Sequence, residues 1–509
     1  MQWLNKIADD VIKQHPEGEI LVSSGVSPSG VYHVGTLREV LTADAIMLAL
    51  RRRGRDSKHV HIVDDLDPLR KIPAGVPTEF EKYFGMSLID APSPDGKAAS
   101  WADYYFKDFA KSTKVLGLDM EVIRSHKKYQ TGFMVLAIEK VLEQLDKVKE
   151  VITNISGRQL DENWSPVQIK EDKYLKKRRF LGIDTKAKTI DYEDKDGRPQ
   201  TISYAHGEVK LDWRLDWPAR WWLLGVDVEP FGRDHATKGG SYDTGVGLSK
   251  KIFSDKPPLP VPYNFINRTG QTKKMSKSTG DTLAISDMLE ILPPEVLRYF
   301  VLRYAPDKLL FFDETDGLVK LIDDFAELLA KPDKTSDDEM LIEISMGNIA
   351  QGTISNIPFS HLVASYQAAL KDADKTLEII RRTEHKETVD AQEESIKNEL
   401  KFIDNWLKNW APEDVKFELL PKPPSIISEK ERQYLLTLAG KIEAAPADAD
   451  GEWFHKTIYE LKDTTGLAPK QLFSILYKVL IGKESGPRAG WFLSILPRDW
   501  LVQRLKLEA

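Results

Sequence analysis

The chain has 509 residues, 41% hydrophobic and 30% charged, with 31 glycines and 28 prolines; this suits about three packed domains and excludes collagen-like, wholly disordered and single-module readings. The absence of cysteine excludes disulfides, thiolate zinc sites, iron–sulfur clusters and cysteine nucleophiles, and leaves ten histidines for soft metals. A formal charge of −7 excludes a uniformly basic coat, and the lack of any long uncharged apolar run, with Asp9 and Asp10 where a signal peptide needs an apolar core, predicts a cytoplasmic protein with no membrane association.

In chain order, Glu19 to Ser24 is β-rich, a glycine-bearing turn follows, and Gly35 to Arg53 carries Leu37, Val40, Leu41, Ala45 and Leu48 at helical spacing. Strand, glycine turn, helix is a nucleotide-binding order. A second strand, His59 to Val63, ends on Asp64, Asp65 and Asp67, at the carboxyl end where open α/β sheets bind ligands, so these carboxylates are expected to line a pocket. His59 and His61 on this strand lack a third ligand nearby and are expected to be one core and one surface residue rather than a metal pair. From Pro68 to His206 the chain turns to loops, amphipathic helices near Trp101 to Val115 and Gly132 to Glu150, and a polar tract from Lys170 to Gln200, which reads as an insertion. The α/β pattern resumes with the aromatic-rich stretch Val209 to Trp222, a strand at Val226 to Glu229 and a helix over Gly239 to Phe253. After Pro293 the pattern is helical, broken by a linker at Lys331 to Glu339 and a loop at Ala411 to Ser428. The expected division is a catalytic first half over 1–67, a connective insertion over 68–206, the catalytic second half over 207–292, a helical junction over 293–335 and an all-α domain over 336–509.

Two windows carry chemistry. Ser24 to Gly35 (SGVSPSGVYHVG) sets three glycines, small hydroxyl residues and His33 between a strand and a helix start, where unpaired N–H groups and the helix dipole favour a polyanion and His33 can donate to phosphate oxygens. A tight loop with a capping or core histidine fits this window equally well. Lys273 to Gly280 (KKMSKSTG) places two cations on a glycine-flanked loop, suited to triphosphate oxygens that gain charge during an in-line displacement. An exact KMSKS arises by chance on the order of once in several thousand chains of this length.

Together these windows resemble the two signatures of class I aminoacyl-tRNA synthetases, the histidine-glycine motif at His33 to Thr36 and KMSKS at Lys274 to Ser278. Nearly the whole chain is similar to the class I lysyl-tRNA synthetases, through Asp64 to Pro77, Leu215 to Trp221, Gly232 to His235 followed by Ser241 to Gly245, and Leu476 to Arg488. The resemblance implies an α/β Rossmann-like catalytic domain split by an insertion, followed by an all-α anticodon-binding domain. It implies activation of L-lysine with ATP and Mg²⁺, and transfer to tRNA(Lys); no obligate protein partner is evident in the sequence. By the same resemblance, Ser29, Gly30, His33 and Gly35 hold ATP phosphates, Gly232 and Asp234 lie near the adenosine, and Lys274 and Lys277 stabilise the transition state as pyrophosphate leaves. Gly25, Ser27, Trp217, His235 and Tyr263 surround the lysine, with Asp64 or Asp65 supplying opposite charge. Trp217 and His235 also fit plain core roles.

Departures from the family pattern matter. Relatives with cysteine pairs in the insertion suggest a zinc ribbon, whereas Val167 to His206 has no cysteine and one histidine, so no structural zinc and no metal ligand set is expected. The basic stretch Lys173 to Arg179 suits acceptor-arm phosphates or a solvated loop. Arg488, in the turn Gly486 to Arg488, suits a tRNA contact or a plain link between helices. Competing functions are a glutamate or arginine enzyme of the same class, or a small-molecule nucleotidyltransferase. Ser23 stands where glutamate enzymes carry an arginine for the substrate carboxylate, and a nucleotidyltransferase has no use for the long helical region.

Overall fold

The computed structural model describes residues 1–161, 164–270, 283–349, 352, 354–424, 427–447 and 449–508. It divides into two compact units: Met1–Leu289 with Leu297–Phe312 and Thr335–Ala350, and Glu290–Val296 with Asp313–Lys334 and Gln351–Ala509. The helix Ser336–Met346, which the sequence division gives to the all-α domain, thus belongs to the first unit. Among the described residues no helix is long and apolar enough to cross a membrane.

The first unit is built on a five-stranded parallel sheet. Its strands are β1 (Ile20–Val26), β2 (Ser57–Val63), β3 (Glu121–Arg124), β4 (Val228–Gly232) and β5 (Leu259–Tyr263), in the order β5-β4-β1-β2-β3. β1 leads through the helix Val34–Arg52 to β2 on one side, and the chain returns to pair β4 on the other. The order therefore reverses at β1, and a crevice opens outside the carboxyl ends of β1 and β4. Gly25 and Val26 end one strand, and Gly232 ends the other, in register with Tyr263 of β5.

β1 and β4 are covered on both faces, and their polar residues Ser23, Ser24 and Glu229 are buried and hydrogen-bonded within the fold. The same covering overturns the expectation for β2. His59 and His61 are both buried, because residues two apart on a strand share a face, and the Ser24 hydroxyl bridges them at 2.7 and 2.8 Å. β3 comes from inside the stretch read as insertion; four residues with two exposed give no alternating signal.

The polar tract forms two small antiparallel sheets, Val167–Glu171 with Tyr174–Lys177 and Val209–Leu211, and Arg179–Asp184 with Thr189–Glu193 and Pro199–Ser203. Within it, Arg178 bonds Glu171 at 2.6 and 2.8 Å and Arg179 bonds Glu193 at 3.0 Å, so part of the basic stretch is matched internally.

Two buried arginines fix the helix that follows β1. Arg38 donates to the carbonyls of Ala305, Pro306 and Lys308 at 2.6, 3.0 and 3.1 Å. Arg298 pairs with Asp44 at 2.6 Å and donates to the Ile344 carbonyl. The second unit is helical, packed around a core that includes Tyr434, Leu438, Leu472, Phe492 and Leu501.

Candidate active site

The crevice at the ends of β1, β4 and β5 holds a cavity of about 230 Å³. Of the residues singled out in the sequence, Gly25, His33, Gly35, Asp64, Trp217, Gly232, Asp234, His235 and Tyr263 line it. Ser27, Ser29 and Gly30 lie on the loop between β1 and the following helix, outside that lining. Lys274 and Lys277 lie outside the described residues.

His33 is the N-cap of the helix, and its Nδ1 accepts the Gly35 N–H at 3.0 Å. That bond places the neutral ring's proton on Nε2, the tautomer able to donate to an anion. Capping and phosphate binding are therefore compatible. Gly35 is required sterically: a Cβ there meets His33 Cε1 at 2.6 Å and Nδ1 at 2.8 Å. Gly232 is likewise crowded, a Cβ falling 2.5 Å from Asp234 Oδ1.

The wall beside them is aromatic. Trp217, from the helix Trp213–Leu224, stacks on Trp213 at 5.1 Å and meets Phe231 edge-on at 5.4 Å, while the His235 ring is tilted against Trp213 at 5.2 Å and meets Trp217 edge-on at 5.6 Å. Trp217 is thus both a packed aromatic and a cavity wall. Its indole N–H donates to Glu229 at 3.2 Å, and Trp221 donates to the same carboxylate.

The carboxylates divide sharply. Asp64 lines the cavity but is met by Arg220 at 2.7 Å; burial holds its pKa up to about 6 against the pull of that guanidinium. Asp65 accepts from Arg124, and from the His126 ring at 2.6 Å and backbone N–H at 2.8 Å; Asp67 pairs with the buried Lys210 at 3.2 Å. The expectation that all three line a pocket is therefore corrected to Asp64 alone, because successive residues leave the strand end in different directions and two find cations within the fold.

Glu39 was not legible as a site residue. Its Oε1 accepts the Gly25 N–H and its Oε2 accepts the Tyr263 hydroxyl, each at 2.7 Å, and burial pushes its pKa up to about 8. Glu229 is also held above the ordinary range, chiefly by burial. The available signal for Glu39 was its spacing: it follows Gly35 by one helical turn, on the same face.

Residues 1–352 match the family model described as "tRNA synthetases class I (K)". A lysine–tRNA ligase from Archaeoglobus fulgidus is 36% identical over 99% of both chains, and one from Methanosarcina barkeri is 36% identical over 99% of this chain and 97% of its own. A lysine–tRNA ligase from Pyrococcus horikoshii is 32% identical over the whole of both chains. With its glycine-histidine turn, its crevice at the strand reversal and these full-length matches, the chain belongs to the class I (K) tRNA synthetases.

Proposed function

We infer that the protein is a lysine–tRNA ligase that uses Mg²⁺-ATP to form lysyl-adenylate and then acylates tRNA(Lys). In the first step a carboxylate oxygen of lysine attacks the α-phosphorus, the bond to the β-phosphate oxygen breaks, and pyrophosphate leaves. In the second, the hydroxyl of the terminal ribose attacks the adenylate carbonyl and AMP leaves. His33, its proton on Nε2, and the Gly35 turn at the helix N-terminus suit the triphosphate, with Ser29 and Gly30 on the approach. Gly232 and Asp234 suit the adenosine side, and Lys274 and Lys277 the charge that develops as pyrophosphate departs.

The observation that carries the substrate is Glu39. Among the described residues its hydrogen-bond partners are neutral donors, and Tyr263, Trp217 and His235 line the same cavity. A cationic side chain supplies the charge that this carboxylate lacks, and its methylene stem suits the aromatic wall. A glutamate substrate would set a third carboxylate near Glu39 and Glu229. Ser27 and Gly25 suit the main-chain end of the amino acid, while Asp64, already paired with Arg220, acts as the floor of the pocket. Pyrophosphate exchange measured with each of the twenty amino acids tests the assignment: lysine alone stimulates exchange. Stimulation by another amino acid and not by lysine overturns it.

A further inference from the structure

The second unit holds a group of side chains that the proposed reaction does not use. His361 lies in the first turn of the helix Phe359–Ala368, and His385 is the N-cap of the helix Lys386–Asn409, preceded by Glu384. His361 Nδ1 and His385 Nε2 face each other at 3.0 Å, and a Glu384 oxygen lies 3.7 Å from His385 Nε2. The three ligand atoms all fall within 4.8 Å of one another.

Tetrahedral coordination with metal–nitrogen and metal–oxygen bonds of about 2.0–2.1 Å sets neighbouring ligand atoms roughly 3.3 Å apart. The two measured separations bracket that edge. His361 is held in plane by Trp491, stacked at 3.7 Å and 10°. Glu384 is 55% exposed, so it can swing inward without repacking the core. Its charge is also needed there, because two helix N-termini and Arg488 otherwise make the place unfavourable for a cation.

We propose that His361 Nδ1, His385 Nε2 and a Glu384 carboxylate oxygen form a binding site for a borderline divalent transition metal of the Zn²⁺ class. A fourth position is left open to solvent or an external oxygen. His361 lines two cavities of about 640 and 680 Å³, giving the ion an entry path. Carboxylates of Asp316, Asp323 and Asp414 line the first and favour cation entry. In the metal-free protein one of the two facing nitrogens must carry the proton of their hydrogen bond. Metal binding moves that proton to the ring's outer nitrogen, and no net charge leaves the protein. The bound ion joins two helix starts that lie 24 residues apart and fixes the ring on which Trp491 stacks. The spacing hid the site, since two histidines 24 residues apart match no short metal motif.

The test uses the full chain, stripped with a chelator and titrated with Co²⁺ while the visible ligand-field bands are followed, then with Zn²⁺ in competition. One equivalent should bind with the absorption of a four- or five-coordinate ion, and Zn²⁺ should displace it, whereas millimolar Mg²⁺ should not, because imidazole ligands select against it. His361→Gln and His385→Gln should each weaken binding at least roughly tenfold, and the exposed Glu384→Gln, which leaves the core packing intact, by about tenfold. Less than a tenth of an equivalent bound, or unchanged affinity in Glu384→Gln and in whichever histidine variant folds, overturns the proposal. Lysine-dependent pyrophosphate exchange is a separate readout, so failure of the metal site leaves the synthetase assignment standing.

Discussion

Two sets of carboxylates lie within the first unit, and they solve burial in opposite ways. Asp64 and Asp216 share Arg220, at 2.7 and 3.3 Å, while Asp67 pairs with Lys210 and Asp65 with Arg124 and His126. Glu39 and Glu229 are met by uncharged donors, a backbone N–H and a tyrosine hydroxyl in one case and two indole N–H groups with the Ser23 hydroxyl in the other. A carboxylate with an internal cation is complete when the protein is folded. On the function proposed above, Glu39, which has neutral donors alone, is completed by a cationic ligand, whereas Glu229 lies in the field of Arg220 and serves to hold the tryptophans.

The largest expected effect removes a cation from the completed set. Arg220→Met leaves Asp64 and Asp216 short of their shared guanidinium and should lower unfolding free energy by about 3–5 kcal/mol in urea titrations. A loss under about 1 kcal/mol would put that network on the same footing as the surface pairs. The next removes a charge from the incomplete set. Glu39→Gln should raise the KM for lysine by roughly 100-fold, about 2.7 kcal/mol, with no loss of folding stability.

The third prediction separates the sets by pH. The Glu39 pKa lies near 8 in the folded chain against an ordinary value of 4.5, so the native state binds more protons than the unfolded state between these values. Stability linked to this group is full below about 4.5 and is lost as pH rises through 8, so Glu39→Gln should gain stability relative to the parent between pH 5 and pH 8.5. Over the same rise the parent's affinity for lysine should increase, because the carboxylate forms while the lysine ammonium, with a pKa of about 10.4, stays charged. The Glu39→Gln affinity should be flat. The smallest effect is expected at Glu229, whose carboxylate holds Trp217 and Trp221. Glu229→Gln keeps one acceptor oxygen and should raise the lysine KM only by roughly 3- to 10-fold, with kcat nearly unchanged.

Much of this site was legible because it lies where local sequence and topology agree. A strand, a glycine turn and a capped helix are contiguous from Ile20 to Arg52, and Gly232 and Tyr263 fall at strand ends, so the residues that meet at the crevice sit at boundaries a sequence displays. The electrostatics were not legible. Asp64, Asp65 and Asp67 look like one acidic cluster, yet their partners come from Arg220, Arg124 and Lys210, between 59 and 156 residues away for the first two. Glu39 looks like any charged residue on a helix, and only the return of β5 brings Tyr263 to it across 224 residues. The histidines of β2 both face the interior, because a separation of two on a strand keeps the face. The pairing of His361 with His385 depends on how helices pack in the second unit, which periodicity alone does not reveal.

The most direct test of the cavity's charge logic is the ratio of pyrophosphate exchange supported by lysine to that supported by norleucine, which keeps the side-chain stem and lacks the ammonium. It should be measured in the parent and in Glu39→Gln. The parent should prefer lysine by about 10⁴-fold, and the variant's preference should fall by roughly 100-fold, because the carboxylate that awaited a cation is gone. An undiminished lysine preference in Glu39→Gln would contradict the account and return the recognition of the ammonium to a different group.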